Sequence, residues 1–156
     1  MKRTGVLVFV LLTVFTALTA GAGAYDIKSV YYYEFGKDGK ERLRSREIYF
    51  NGEFTEEQKA AIVFINLFEA VDGYRFPFIP DGTVLYDLRL RNGLLQIDVS
   101  GEINGYGGTE NERYLIKQII LTAAGFAGAE RVTLYIDHEP GVLSEGGCII
   151  ERAVRE

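Results

Sequence analysis

The chain has 156 residues, a net charge of −5, 47% hydrophobic and 25% charged residues, one Cys, one His and no Trp. That length suits one domain, and the composition is that of a globular protein, which excludes disordered and collagen-like chains. A single Cys and a single His exclude an internal disulfide and a structural zinc site, and the acidic balance argues against a nucleic-acid partner.

Lys2 and Arg3 precede an almost wholly apolar run, Val6 to Ala20, which passes into Ala20-Gly21-Ala22-Gly23-Ala24. A positive start, an apolar stretch and a small-residue end form the pattern of a secretory signal, with cleavage sites after Ala22 and Ala24. The alternative is a retained membrane anchor, because Gly5 to Ala24 just reaches the roughly 20 residues that a spanning helix needs. In both cases the charge at Lys2 and Arg3 sends the rest of the chain across the membrane. Without those two residues the exported part carries −7, which opposes contact with anionic lipid and nucleic acid. Residues 1–24 are thus read as signal or anchor, 25–140 as the domain and 141–156 as a C-terminal tail.

Ile27 to Phe35 is rich in Tyr and Val and reads as a strand; Gly36-Lys37-Asp38-Gly39 is turn chemistry, and Leu43 to Phe50 is the expected return strand. Thr55 and Gln58 form a capping box at the start of a helix that ends near Asp72-Gly73. Glu56 and Glu57 suit the positive end of its dipole. Its apolar positions, from Ala60 to Val71, cover too wide an arc for one stripe, so it should be covered on more than one side. An aromatic connector, Tyr74 to Phe78, leads to Pro80-Asp81-Gly82.

Thr83 to Arg91 alternates apolar and polar, Asn92-Gly93 interrupts, and Leu94 to Ser100 alternates again. Asn-Gly favours a two-residue turn with positive φ at both positions, and such a turn fixes the register. Counting outward, Leu90 faces Leu95, Leu88 faces Ile97 and Tyr86 faces Val99, all on one side. Arg89 meets Gln96 and Asp87 meets Asp98 on the other. Gly101 to Gly108 reads as a loop exposing Glu102, Asn104 and Tyr106. Thr109 and Glu112 suggest a second capping box, followed by a helix with Leu115, Ile116, Ile119, Ile120 and Ala123 on one face and a stop at Gly125. Arg131 to Asp137 is the last strand, with Val132, Leu134 and Ile136 on one face. The expected fold is α+β: a small mixed sheet with two helices packed on one face, preceded by the N-terminal signal or anchor helix.

Chemistry-bearing residues are sparse. Asp87 and Asp98 are cross-strand neighbours that could share a proton or a cation, but a solvated pair beside Arg89 explains them as well. Glu102 is an exposed carboxylate with no reason for a raised pKa. His138, between Asp137 and Glu139, reads as a surface histidine. Cys148 lacks a base to make it a nucleophile. Gly105 to Thr109 opens a helix but lacks the lysine of a phosphate loop. No cofactor, metal or catalytic set is expected.

Several motifs in order resemble the GerMN domain family of sporulation and spore germination. They are Ile79-Pro80-Asp81-Gly82-Thr83 before a strand, Asn92-Gly93 with Leu95-Gln96-Ile97-Asp98-Val99-Ser100 after it, Gly107-Gly108-Thr109 with Glu112 before a helix, and Glu130-Arg131-Val132 entering the last strand. The resemblance covers Phe78 to Asp137 closely, with the Thr55 to Val71 helix where the family's first helix is expected. It implies a ring-building type of domain, ordered helix, strand, strand, helix, strand, that is exported, associates with membranes and is not an enzyme. The lipobox Cys and second domain of many members are missing, and Thr122-Ala123 stands where Thr-Leu is usual.

The expected function is therefore a non-catalytic extracytoplasmic interaction or assembly module in sporulation, germination or the cell envelope. Its partner would be another protein or a second copy. Contact with the membrane would be only through residues 1–24 if these are uncleaved. The candidate interaction surface is Phe64, Phe68, Tyr74, Phe76 and Phe78. The alternative is a cell-wall or small-ligand-binding domain using Tyr31, Tyr33 and the Glu102 to Tyr106 loop; the third reading is a hydrolase using Asp98 and Glu102.

Overall fold

The computed structural model describes residues 25–70, 73–145 and 152–153; the signal or anchor segment and Cys148 lie outside them. Strands β1 (Asp26–Phe35) and β2 (Glu41–Phe50) form an antiparallel hairpin. Helix α1 (Glu56–Phe68) follows, then β3 (Leu85–Arg91) and β4 (Leu94–Val99), a 3-10 turn (Gly101–Tyr106), helix α2 (Thr109–Ala123) and β5 (Arg131–Ile136). Two short strands, β6 (Glu139–Pro140) and β7 (Arg152–Ala153), close the edge of β5.

The second sheet is mixed: β3 pairs antiparallel with β4, and β4 pairs parallel with β5. The Asn92-Gly93 turn has both residues at positive φ, and the register is the one counted from sequence for Leu90 with Leu95, Leu88 with Ile97, Arg89 with Gln96 and Asp87 with Asp98. The count fails beyond Asp87. A bulge lies between Leu85 and Asp87, so Leu85 rather than Tyr86 faces Val99, and Tyr86 turns outward to 48% exposure. An extra residue in one strand flips the parity of everything beyond it. Parallel pairing sets Leu95 beside Val132 and Ile97 beside Leu134 on the buried face. Gln96 beside Thr133 and Asp98 beside Tyr135 then lie on the other face.

The two helices pack between this sheet and the hairpin. Val30 and Phe50 of the hairpin belong to the same buried cluster as Phe64, Leu67, Leu95 and Ile97. The wide apolar arc of α1 is thereby covered on both sides, which the sequence demanded.

Caps differ between the helices. Thr55 accepts from Gln58 N and the Gln58 side chain accepts from Thr55 N, the expected capping box. The helix ends at Phe68, earlier than Val71, because Glu69 is extended and aims its carboxylate at Leu85 N. At α2 the expected box is absent: Gly108 is the N-cap, without a side-chain cap. Thr109 Oγ1 turns to Glu145 instead, and Glu112 is buried against Tyr106.

Sheet edges are closed by side-chain hydrogen bonds. The outer N–H groups of β3 are taken by carboxylates: Leu90 by Glu57 at 2.8 Å, Leu88 by Asp87 at 2.9 Å and Leu85 by Glu69 at 3.3 Å. The outer edge of β1 is closed by α2, where Thr122 accepts from Tyr31 N and Gln118 from Tyr33 N at 3.0 and 2.9 Å. Alternation then makes Leu43, Ser45 and Glu47 the outward-bonding positions of β2. That strand carries Arg42, Arg44, Arg46 and Glu47, charges that are the usual guard against stray pairing at a sheet edge.

Residues 141–145, which follow β6, are packed on the domain. Leu143 is buried in the core, and Glu145 N donates to Glu112 Oε2 at 3.0 Å and to the Tyr106 hydroxyl at 3.1 Å.

Candidate interaction surfaces

The five aromatic residues singled out in the sequence do not form one surface. Phe64, Phe68 and Phe76 are each no more than 1% exposed, a correction with a plain cause: the hairpin lies over them, with the Tyr32 ring 4.6 Å from Phe76. Phe64 and Phe68 stack on each other at 5.7 Å. Phe78 is half-buried and stacks on Tyr114 at 4.6 Å. Only Tyr74 of the five is well exposed, edge-on to Phe76.

The residues of the alternative readings are also dispersed. Tyr33 lies 5.2 Å from the Tyr114 ring with the Lys117 ammonium over its face. Tyr106, expected in an exposed loop, is buried in the 3-10 turn with its hydroxyl bonded to Glu112. Burial and that carboxylate raise its pKa. Ser100 donates to Glu102 and lowers that carboxyl's pKa, the wrong direction for a general acid. Both Asp98 oxygens are committed to His138: Oδ1 accepts from its backbone N at 3.1 Å and Oδ2 lies 2.6 Å from Nδ1.

That Asp98–His138 pair was missed in the sequence, where the two residues stand 40 positions apart. Its signal was the parallel pairing of β4 with β5, which sets Asp98 beside Tyr135 and brings the turn after β5 over the end of β4. Asp137 and His138 both have positive φ, 50° and 70°, unusual for residues with a Cβ. Asp98 holds the second of them, while Asp137 Oδ1 accepts from Gly101 N at 3.0 Å. Asp98 raises the His138 pKa, with Asp137 and Glu139 adding to the effect.

Two open surfaces among the described residues bear on a partner. One is the outer face of the sheet, a shallow depression of about 270 Å³ lined by Asp87, Arg89, Gln96, Asp98 and Tyr135. The other is a groove of about 540 Å³ along α2, lined by Thr109, Glu110, Arg113, Ile116, Lys117 and Ile120. Both mix acidic or polar groups with a cation, and the α2 groove adds isoleucine.

Residues 29–142 match the profile of the Germane family, described as sporulation and spore germination. The chain belongs to the Germane (GerMN) family. The matched range runs from the first strand to the segment after β6, so the N-terminal hairpin is part of the domain. Solved structures agree on the fold. The first GerMN domain of the sporulation protein GerM from Bacillus subtilis aligns with a TM-score of 0.57 at 19% identity, over 79% of this chain and 92% of that one. A Clostridium perfringens protein described as a lipoprotein aligns with a TM-score of 0.54 at 15% identity, over 83% and 88%. The tandem GerMN domains of the same GerM protein align with a TM-score of 0.59 at 15% identity, over 86% of this chain but 47% of that one. This chain thus spans about half of a tandem Germane protein. No curated protein matches it.

Proposed function

We propose that this Germane domain is a non-catalytic assembly module that works outside the cytoplasmic membrane, in sporulation, germination or a related envelope process. The observation that carries the reading is the family match over 29–142, which embraces both open surfaces. Export is supported by the signal-like pattern of residues 1–24.

The two surfaces suit side-by-side association, with the α2 groove of one copy against the outer sheet face of the next. Arg113 and Lys117 in the groove would meet Asp87 on the sheet, and Glu110 would meet Arg89. Complementary charge of this kind fixes orientation more than it adds affinity. The net −7 of the exported part opposes homotypic contact at low salt and less at physiological salt.

Sedimentation of the protein over a wide range of concentration and salt tests the reading. Concentration-dependent association that Lys117→Glu weakens is the expected result. A strict monomer at high micromolar concentration in physiological salt overturns self-assembly and leaves a different protein as the partner. Retention on purified peptidoglycan would instead favour a wall-binding role.

A further inference from the structure

Asn-Gly occurs three times in the chain, at 51–52, 92–93 and 104–105. The pair is chemically labile. Glycine sets no side chain in the way of its own N–H and leaves the backbone permissive, so that nitrogen can turn onto the carboxamide carbon before it. A fold that holds the backbone and both partners suppresses the reaction, which then waits for a local opening.

The structure treats the three pairs differently. Asn92-Gly93 is locked in the β3–β4 turn with both residues at positive φ, and the Gly93 carbonyl accepts from Glu130 N at 2.8 Å and Arg131 N at 2.9 Å. Asn104-Gly105 lies within the 3-10 turn; the Asn104 carboxamide oxygen accepts from Ser144 N at 3.1 Å and its backbone carbonyl from the Ser144 hydroxyl at 3.4 Å. Asn51-Gly52 has no such restraint. It lies in the connector between β2 and α1, and both residues are exposed. Among the described residues no group hydrogen-bonds the Asn51 carboxamide or the Gly52 N–H, and nothing lies within 4 Å of the place a Gly52 side chain would take.

We propose that Asn51 is a modification site: of the three Asn-Gly pairs, it is the one that deamidates in the folded chain. Gly52 N attacks Asn51 Cγ, the new C–N bond closes a succinimide ring, and the carboxamide nitrogen leaves as ammonia with the proton of the Gly52 N–H. Water then opens the ring. Attack at Cγ leaves an aspartate in the normal backbone. Attack at the backbone carbonyl carbon breaks the original peptide bond and leaves an isoaspartate, whose main chain runs through the former side chain. Water is consumed, ammonia is released, and no other reactant is needed. Either product adds a negative charge to a chain that is already acidic. The isoaspartate also lengthens by one methylene the link from buried Phe50 to the Thr55 cap, beside the Phe54 ring that meets Phe50 edge-on at 5.5 Å. Conversion therefore alters the joint between hairpin and helix and leaves the core untouched. The inference is independent of the assembly reading.

The test follows the full-length chain in mildly alkaline buffer at physiological temperature. Samples are cut with pepsin at acid pH, which halts the reaction. The mass change from asparagine to aspartate is placed by electron-transfer fragmentation, which also separates aspartate from isoaspartate. Position 51 should convert at least about tenfold faster than positions 92 and 104, which react only through local opening. In the chain unfolded in guanidinium chloride the three rates should converge. Comparable rates at the three positions of the folded chain overturn the proposal, as does an Asn51 that stays intact while the unfolded chain converts. A difference that persists in the unfolded chain overturns it too, because the neighbours in sequence and not the fold would then set the rates. None of these outcomes bears on assembly, which sedimentation reads separately.

Discussion

At the scale of single residues, Glu56 gathers three hydrogen bonds, from Lys28, Lys59 and Ala127 N. Burial would raise its carboxyl pKa, but hydrogen bonds from Lys59, Lys28 and Ala127 N outweigh this and bring it to about 2. A carboxyl lowered on folding adds stability that is present above its unfolded value, near 4.5, and is lost as pH falls toward 2. Glu56→Gln should therefore cost about 1–3 kcal/mol at pH 7 and flatten the acid limb between roughly pH 4.5 and 2, read by urea unfolding at several pH values. His138 has the opposite sign. Its pKa is raised by Asp98, so its contribution is complete below about pH 6.5 and fades as pH rises through the folded value. Asn tolerates positive φ and cannot titrate, so His138→Asn should remove this residue's share of the stability lost as pH rises above about 6.5, read by urea unfolding on either side of neutrality. The Thr55 cap was legible because every part of a capping box is local. The Thr109 cap was misread because Glu112 has a better partner in Tyr106, and Glu145, just after β6, binds both.

At the scale of elements, the β3–β4 register was readable because Asn92-Gly93 leaves one pairing that keeps all apolar pairs together. Leu88 and Ile119 are buried while Arg91 is exposed. Leu88→Asp and Ile119→Asp should each cost about 3–5 kcal/mol, enough to unfold the domain, since each buries an unpaired carboxylate. Arg91→Asp should stay within about 0.5 kcal/mol. Equally mild urea midpoints for all three would contradict the register. The bulge at Tyr86 was not readable: Tyr and Leu both suit an inward position, and the shift depends on Glu69 reaching Leu85 N from another element.

At the scale of the whole molecule, the order of elements was legible and so was the need for a second cover on α1; that the hairpin supplies it was left open. Nothing in the hairpin's own sequence says that Val30, Tyr32 and Phe50 lie over helices rather than beside the sheet. Residues 141–145 were likewise underrated, because the partners of Leu143, Ser144 and Glu145 lie far away in the sequence. Leu143→Ala should cost about 2–4 kcal/mol, whereas Val142→Ala, at a site 55% exposed, should be near neutral; thermal melts of the two variants check this. The closure of β1 by Thr122 and Gln118 sets an order of events. Tyr31 and Thr122 are 91 residues apart, so the hairpin, made first, can meet the first helix early but cannot complete its docking until the second helix has been made. For most of the time the chain spends emerging from a ribosome or a translocation channel, the outer edge of β1 at Tyr31 and Tyr33 has no native partner. A high share of such distant contacts slows folding and prolongs the exposure of sticky strands. An arrest after residue 108 would therefore strand a hairpin that holdase chaperones bind, and an arrest long enough to free residue 123 from the tunnel would release it.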